Sequence, residues 1–203
     1  MGEQVPFFED ALMASEEKLS AILGEQCKIG VAIGADDLLV KTITLIDHEK
    51  FRPELQYDVE ELLDRIGKEG FVLFLVSSGG RPIAFLYGYS EDSEKSIFFL
   101  DTIATLIEGK GIGSTLVSLA LLYSYDVGYA STVLFTEDED EKGRRLRQFY
   151  EHLGFQVVSI DPRQGVCMRH DLNPHTLRAI YQKYLRQNGA DQGSFTSSMN
   201  MLP

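Results

Sequence analysis

The chain has little cysteine and no tryptophan among its 203 residues. Its two cysteines, Cys27 and Cys167, are far apart and lack CxxC spacing, and the four histidines do not cluster, so we expect no metal site. No apolar run approaches the ~20 residues that cross a bilayer. The first residues also lack the charged and then apolar pattern of a signal peptide. We therefore expect a cytoplasmic protein without a membrane-spanning segment.

Basic side chains are also scarce, because 19 Lys and Arg stand against 31 Asp and Glu, for a formal net charge of −12. This balance opposes binding to nucleic acid and to anionic membranes, so we expect neither as a partner. The charge is uneven: the net charge is −17 over residues 1–141 and +6 over residues 142–186. The basic part could bind an anion and the acidic part a cation, or both could simply be solvated faces.

The apolar content is sufficient for a core, since 44% of the residues are hydrophobic. Residues 7–23 predict an amphipathic helix, with Phe8, Leu12, Leu19 and Ile22 at helical intervals. Such a helix docks on the core of its own chain or on a second subunit, so a homodimer is possible.

The remaining pattern predicts a mixed α/β fold with a mostly antiparallel central sheet flanked by helices. We divide the chain into an N-terminal helical extension (1–34), a main domain (35–186) and a flexible C-terminal tail (187–203). The predicted order is strand 38–46, helix 58–66, an antiparallel meander of strands 71–76, 83–89 and 96–104, helix 111–125, strand 132–135, helix 142–152, a hairpin of strands 155–160 and 165–169, and helix 174–186.

A glycine-rich loop separates the last meander strand from the next helix, with Gly109, Gly111 and Gly113 around Lys110. Glycines let backbone N–H groups approach a phosphate, and the start of a helix adds unpaired N–H groups and a partial positive charge. The loop therefore predicts a pyrophosphate site, although tight packing alone could also explain its glycines. A P-loop is excluded because Gly111 follows Lys110 where Ser or Thr is needed. A dinucleotide-binding loop stays open.

Two segments resemble the GNAT acetyltransferase superfamily. Glu108–Gly113 (EGKGIG) is similar to its Arg/Gln-x-x-Gly-x-Gly/Ala loop, and Phe149–Phe155 (FYEHLGF) to its (F/L)YxxxGF segment. The resemblance covers approximately residues 38–171 and implies a GNAT-like domain within 35–186. It implies an N-acetyltransferase that moves an acetyl group from acetyl-CoA to a primary amine of a small molecule or peptide. The amine would attack the thioester directly in a ternary complex.

The resemblance also implies site residues. Tyr150 matches the family tyrosine that protonates the departing CoA thiolate; as an alternative, it is an aromatic side chain that fills space under the hairpin. The acetyl-CoA site would comprise Ile103, Ala104 and Thr105 along the pantetheine arm, Glu108 and Gly109 at the start of the loop, and Lys110, Gly111, Ile112, Gly113 and Ser114 around the pyrophosphate.

The chemistry of amine acetylation requires a proton acceptor, because an amine with a pKa near ~10 is mostly protonated at neutral pH. Asp101, on the strand before the loop, is our candidate base; the alternative is a structural aspartate paired with a lysine. The run Glu137–Glu141 could recruit a cationic amine or form a solvated loop. Arg144, Arg145 and Arg147 could meet the 3′-phosphate of CoA or pair with that acidic run.

The sequence departs from the family pattern at two positions. Glu108 stands where the family has Arg or Gln, and its carboxylate would repel a pyrophosphate unless it turns to solvent or Lys110 compensates. Gly143 stands where many members have Asn. These departures motivate an alternative function, a non-catalytic CoA-binding or interaction module. A dinucleotide-binding protein is a further alternative, and it requires a mainly parallel sheet.

Overall fold

A computed structural model describes residues 5–91, 93–140, 143–162 and 165–186, so the predicted tail (187–203) lies outside the described residues. The elements are α1 (Phe8–Leu23), β1 (Cys27–Ala32), α2 (Asp37–Lys50), a 3₁₀ turn (Pro53–Leu55), α3 (Val59–Ile66), β2 (Val72–Ser78), β3 (Arg81–Ser90), β4 (Ile97–Thr105), α4 (Ile112–Val127), β5 (Ser131–Thr136), α5 (Leu146–His152), β6 (Gln156–Asp161), β7 (Gly165–Asp171), α6 (Pro174–Ile180) and a π-helical turn (Tyr181–Leu185).

The strands form one sheet in the order β1-β2-β3-β4-β5-β7-β6. Of the six described strand pairs, β4–β5 is parallel and the others are antiparallel. The predicted mixed, mostly antiparallel sheet is therefore confirmed. The described sheet also lacks the mainly parallel order that the dinucleotide-binding alternative requires.

The strand predicted at 38–46 is wrong, because these residues lie in α2. The Asp36 side chain caps this helix by accepting a 2.8 Å hydrogen bond from the Leu39 N–H. Val40, Ile43 and Ile46 are buried at intervals of about one helical turn. The β-branched residues of this segment favour a strand in isolation, but the cap and the buried helical face outweigh that preference.

Strand β1 was not predicted; it pairs antiparallel with β2 from Cys27↔Ser78 to Ala32↔Leu73. Cys27 and Ile29 are buried and Lys28 is exposed between them, but glycine and alanine shorten the apolar pattern. Strand β1 is an edge strand of the common sheet. The predicted boundary between the N-terminal extension (1–34) and the main domain (35–186) stays a prediction.

The other predicted elements are confirmed with shifted ends. Helix α3 begins with a capping box between Asp58 and Glu61. Helix α5 begins at Leu146 rather than at residue 142, and α6 ends at Ile180 before the π-helical turn.

Two hydrophobic cores cover the two faces of the sheet. Helices α1, α4 and α6 pack on one face, where Phe74 and Leu86 are buried. Helices α2 and α3 pack with the other face, where Leu73, Phe85 and Tyr87 are buried. No helix in the described part of the chain is long and apolar enough to cross a membrane.

Helix α1 docks on the core of its own chain. Leu19 is fully buried, and the Phe8 ring packs edge-on against Phe74 and Tyr123 at 5.9 and 5.5 Å between centroids. Ile22 is 40% exposed. The apolar stripe is thus largely used within the chain, and the homodimer stays a prediction.

Candidate functional site

Strands β4 and β5 diverge. They pair only where Ile97–Phe99 lies beside Ser131–Val133, although β4 continues to Thr105 and β5 to Thr136. The predicted pantetheine residues Ile103, Ala104 and Thr105 lie on the stretch of β4 beyond this pairing. Backbone groups along this side of β4 have no strand partner among the described residues, so they can pair with an extended ligand.

Asp101 lies in a β-bulge at the start of the divergence. Leu100 pairs with Gly88 and Thr102 pairs with Tyr87, so Asp101 is the extra residue of β4. Bulges redirect side chains, which is one reason that they occur beside active sites. Here the Thr102 hydroxyl donates a 2.8 Å hydrogen bond to Oδ1 of Asp101.

Two tyrosines and an arginine complete the surroundings of Asp101. Tyr89 donates a 2.6 Å hydrogen bond to Oδ2, and Tyr57 donates one of 3.2 Å to Oδ1. Arg65 Nε lies 3.2 Å from Oδ2, and the Asp101 side chain is 5% exposed. Burial and, secondly, the charge of Asp101 raise the pKa values of both tyrosines, which keeps their hydroxyl protons available for donation.

Neither Tyr57 nor Arg65 was predicted to lie in this site. They lie before and within α3, far along the chain from Asp101, and they reach it because α3 packs on α2, which packs on β3 and β4. The partner of Asp101 is therefore an arginine rather than the lysine considered above.

The glycine loop has the backbone conformation that a phosphate site requires. Gly109 and Gly111 have φ of +72° and +75°, a region that other residues rarely adopt. Gly111 is the N-cap of α4, without a capping side chain and without an acidic residue in the first turn. The first N–H groups of α4 are therefore open to an anion. Ser114 donates a 2.9 Å hydrogen bond back to the Gly111 carbonyl.

Gly113, unlike Gly109 and Gly111, has neither a positive φ nor a close contact that requires glycine. A Cβ added there would lie 3.6 Å from Phe149 Cζ and 3.8 Å from Ile103 Cδ1. The start of α4 is thus packed between β4 and α5, with ordinary room for one methyl group.

Glu108 is neutralised by two cations from other parts of the chain. Its carboxylate pairs with Lys50 Nζ, at the end of α2, and lies 2.5 Å from Arg144 Nη1. The hydrogen bonds from Lys50 and then from Arg144 lower the pKa of Glu108 to about 2. Lys110, considered above as the compensating charge, makes no ion pair among the described residues. Lys50 was not predicted, and no local sequence signal points to it.

The basic side chains before and within α5 pair with the preceding acidic segment. Arg145 Nε lies 4.0 Å from Glu139, and Arg147 Nη1 lies 3.7 Å from Asp138. Both contacts are between exposed groups and contribute little to stability. The acidic side chains at positions 138 and 139 are thus partly paired in this structure.

The departure from the family pattern at Gly143 has a backbone reason. Gly143 has φ of +72° and donates a 2.8 Å hydrogen bond to the Asp140 carbonyl. The next residue, Arg144, donates its N–H to Asp140 Oδ1 at 2.9 Å. Gly143 therefore forms the turn that places Arg144 beside Glu108.

Tyr150 is 7% exposed and packs between Phe149 and Phe155, with ring centroids at 4.9 and 5.7 Å. Its hydroxyl makes no hydrogen bond within the part of the chain that the structure describes. Burial raises its pKa to about 12, so the hydroxyl keeps its proton at neutral pH. Tyr150 belongs to the core under α4, whereas the tyrosine partners of Asp101 belong to the core under α2 and α3.

Comparisons with known proteins agree with this geometry. The profile of the Acetyltransferase (GNAT) family matches residues 39–155, more than half of the chain. The comparison with curated protein sequences gave no match.

Several solved structures share the fold. The PaiA N-acetyltransferase of Thermoplasma acidophilum, solved with coenzyme A, has a TM-score of 0.58 and 17% identity over 71% of this chain and 99% of its own. The aminoglycoside 6′-N-acetyltransferase of Enterococcus faecium has a TM-score of 0.59 and 14% identity over 71% and 98%. Naa50 of Arabidopsis thaliana, bound to the bisubstrate analogue CoA-Ac-MVNAL, has a TM-score of 0.55 and 18% identity over 70% and 98%.

Proposed function

The chain belongs to the GNAT family of acetyltransferases, and on this premise we propose that it acetylates a primary amine of a small molecule or peptide by direct attack on acetyl-CoA. Family membership makes the chain an acyltransferase with acetyl-CoA as its co-substrate. The observation that carries the proposal is the divergence of β4 from β5 beside the uncapped, glycine-rich start of α4.

The acetyl-CoA side of the site follows from this backbone arrangement. The pantetheine arm lies along Ile103–Thr105, where its amides pair with free peptide groups of β4. The pyrophosphate lies on the N–H groups of Gly109–Ser114, at the positive end of the α4 dipole. The thioester then lies near the bulge at Asp101, at the point where the two strands separate.

The acceptor amine approaches from the face of α2 and α3, and Asp101 accepts the proton that leaves its ammonium form. Because the Asp101 side chain is only 5% exposed, this proton passes through an intervening hydroxyl or water. Tyr57 and Tyr89, which both donate to Asp101, are positioned for such a transfer. The amine nitrogen then forms its bond to the acetyl carbon, the carbon–sulfur bond breaks, and the nitrogen loses a second proton, which in net terms replaces the proton that Tyr150 gives to sulfur.

Tyr150 donates a proton to the departing CoA sulfur. Its phenol is protonated at neutral pH because burial raises its pKa to about 12. A positioned acid of this kind accelerates such a step by roughly 10²–10⁴-fold. Asp101 and Tyr150 belong to opposite faces of the sheet, which fits an amine and a thioester that meet from two sides in a ternary complex.

A cationic acceptor is supported by charge. The net charge is −12, and the carboxylates of Glu137, Asp138 and Glu139 follow β5 directly. A field of this sign draws cations toward the site. The names of two structural neighbours refer to an aminoglycoside and to a peptide analogue. We therefore include amines of both kinds among the candidate acceptors of this chain.

The proposal is tested with acetyl-CoA and four acceptors: spermidine, kanamycin, a lysine-containing peptide and a peptide with a free N-terminus. We expect one of them to gain the mass of one acetyl group, with release of CoA thiol in equal amount. Initial rates measured over a matrix of both substrate concentrations should give intersecting lines in double-reciprocal plots, as a ternary complex requires. Parallel lines would indicate an acetyl-enzyme intermediate, and acetyl-CoA binding without any acetylated product would favour the non-catalytic alternative.

A further inference from the structure

Four alternating charges connect three segments around the proposed acetyl-CoA site. Lys50 at the end of α2 pairs with Glu108, Glu108 pairs with Arg144, and Arg144 pairs with Asp140. Glu108 directly precedes the glycine loop, whereas Asp140 and Arg144 lie in the segment before α5. The two cations thus lie beside the predicted phosphate loop, with a carboxylate between them.

Asp140 holds Arg144 independently of Glu108. It receives hydrogen bonds from Arg144 Nε at 2.5 Å and from the Arg144 backbone N–H at 2.9 Å, and its carboxylate also pairs with Nη2. Only Nη1 is directed to Glu108, at 2.5 Å from Oε2. Loss of the Glu108 contact therefore leaves the guanidinium in place with one nitrogen available, since its planar shape fixes the remaining N–H directions.

A carboxylate at this position cannot itself bind a phosphate, because like charges repel. It can, however, occupy the same cations, since carboxylate and phosphate oxygens accept hydrogen bonds from the same ammonium and guanidinium groups. The pyrophosphate as a whole, or the 3′-phosphate, carries more negative charge and more acceptor oxygens than one carboxylate. The pyrophosphate is also held in place by the N–H groups of the loop.

We propose that Glu108 is an internal substitute for a phosphate group of acetyl-CoA: it occupies Lys50 and Arg144 in the ligand-free protein, and a phosphate displaces it from both. This inference rests on the proposed acetyl-CoA site at residues 103–114. Lys50 and Arg144 then become phosphate ligands supplied from α2 and from the segment before α5. Where the family has Arg or Gln at position 108, this chain supplies positive charge from Lys50 and Arg144.

Calorimetric titrations of the full chain test this assignment with three ligands: acetyl-CoA, dephospho-CoA and pantetheine. The variants are Glu108→Gln, Arg144→Met and the double variant, each checked for folding by thermal unfolding. We expect E108Q to lower the Kd for acetyl-CoA by about 3-fold or more, since one repulsive charge is lost. R144M should raise that Kd by about 10-fold, and most of the E108Q gain should vanish in the double variant.

Two control variants remove the same charges elsewhere. Glu69→Gln removes a carboxylate that pairs with Lys95, and Arg169→Met removes a guanidinium that pairs with Asp171. Both pairs are exposed, and neither shows a contact with Lys50, Glu108 or Arg144 among the described residues, so we expect each Kd to stay within about 2-fold of the wild-type value.

The ligands identify the group that displaces Glu108. Pantetheine carries no phosphate, so E108Q should leave its binding unchanged. A gain shared by dephospho-CoA supports the pyrophosphate as the competing group, and a gain confined to acetyl-CoA supports the 3′-phosphate. A gain that extends to pantetheine would overturn the inference.

Three further results would contradict the inference. A higher Kd in E108Q would show that Glu108 positions the cations for the ligand, and an equal gain in E69Q would reduce the effect to net charge. Unchanged binding in R144M would remove Arg144 from the site. If the wild-type chain binds no acetyl-CoA at all, the proposed acetyl-CoA site itself is wrong, which distinguishes the two failures.

Discussion

The Tyr89 hydroxyl donates a 2.6 Å hydrogen bond to Oδ2 of Asp101, across the bulge between β3 and β4. This contact joins a buried aromatic core to the point at which β4 leaves β5. It therefore fixes the position of a carboxylate at the one place in the described sheet where two adjacent strands separate. The assignment of Asp101 as the base depends on that placement.

Asp101→Asn tests the base directly. Asparagine keeps an oxygen that can accept from Tyr57 or Tyr89 but carries no negative charge, so we expect kcat to fall by about 100-fold or more. The Kd for acetyl-CoA should stay unchanged, because the glycine loop that holds the pyrophosphate follows the end of β4, whereas Asp101 lies in the middle of that strand. The measurement is kcat for the acetylated acceptor, together with a calorimetric Kd.

A matched control is Asp126→Asn, which alters an exposed carboxylate that accepts from the Phe8 N–H at 2.7 Å. We expect its kcat to equal that of the wild type. Asp101→Asn also leaves Arg65 without its ionic partner, and so its melting temperature should fall. A variant with a lower melting temperature but wild-type kcat would make Asp101 a structural residue only.

Tyr150→Phe tests the general acid. Phenylalanine keeps the packing against Phe149 and Phe155 and removes only the hydroxyl, so the fold and the Kd for acetyl-CoA should be retained. We expect kcat to fall by roughly 10²-fold. The control is Tyr125→Phe on α4, whose kcat should not change. An unchanged kcat in Tyr150→Phe would remove the residue from the mechanism and leave it as a packing aromatic.

Two glycines of the loop are expected to respond differently to alanine. Gly111 has φ of +75°, so Gly111→Ala should cost about 1–2 kcal/mol in the free energy of unfolding and should weaken acetyl-CoA binding. Gly113→Ala adds its methyl group at ordinary contact distance from Phe149 and should retain binding. Chemical denaturation and calorimetry of both variants measure this difference. Equal behaviour would mean that the Gly111 conformation does not shape the site.

The buried imidazole of His170 should make the free energy of unfolding depend on pH. It is 2% exposed, and burial lowers its pKa from the usual value of about 6.5. The unfolded chain therefore binds a proton at higher pH than the folded chain does. Its contribution to the free energy of unfolding is fully present above about pH 6.5 and is lost as the pH falls below that value.

His170→Leu should make this decline shallower, as measured by denaturant unfolding at a series of pH values. His175→Gln, at the exposed start of α6, is the control and should follow the wild-type curve. If His170→Leu and the wild type decline in parallel below about pH 6.5, the buried imidazole does not account for the loss.

The sequence predicted the fold better than the site. Short hairpins and the glycine loop are local signals, so the meander and the start of α4 were accessible from the sequence. Residues 38–46 were not, since their β-branched side chains favour a strand and only the cap at Asp36 and the buried face of α2 decide for a helix. Strand β1 was missed for a different reason, because Gly30 and Ala32 shorten its apolar pattern.

The residues of the site also differ in whether a local sequence signal marks them. The glycine loop and Tyr150 lie in recognisable segments, and Asp101 lies just before one of them. Lys50 and Arg65 reach their partners at positions 108 and 101 only through tertiary packing. Long-range ion pairs leave no periodic trace in one sequence, and so these two side chains could be found only in the structure.

Titration of acetyl-CoA into the wild-type chain, followed by thermal unfolding and calorimetry, tests the central claim most directly. We predict saturable binding, with acetyl-CoA at 100 times its Kd raising the free energy of unfolding by about 2.7 kcal/mol, and weaker binding by Gly111→Ala than by Gly113→Ala. No heat and no stabilisation with acetyl-CoA, or the same response to NAD, would contradict an acetyl-CoA site between β4 and the start of α4.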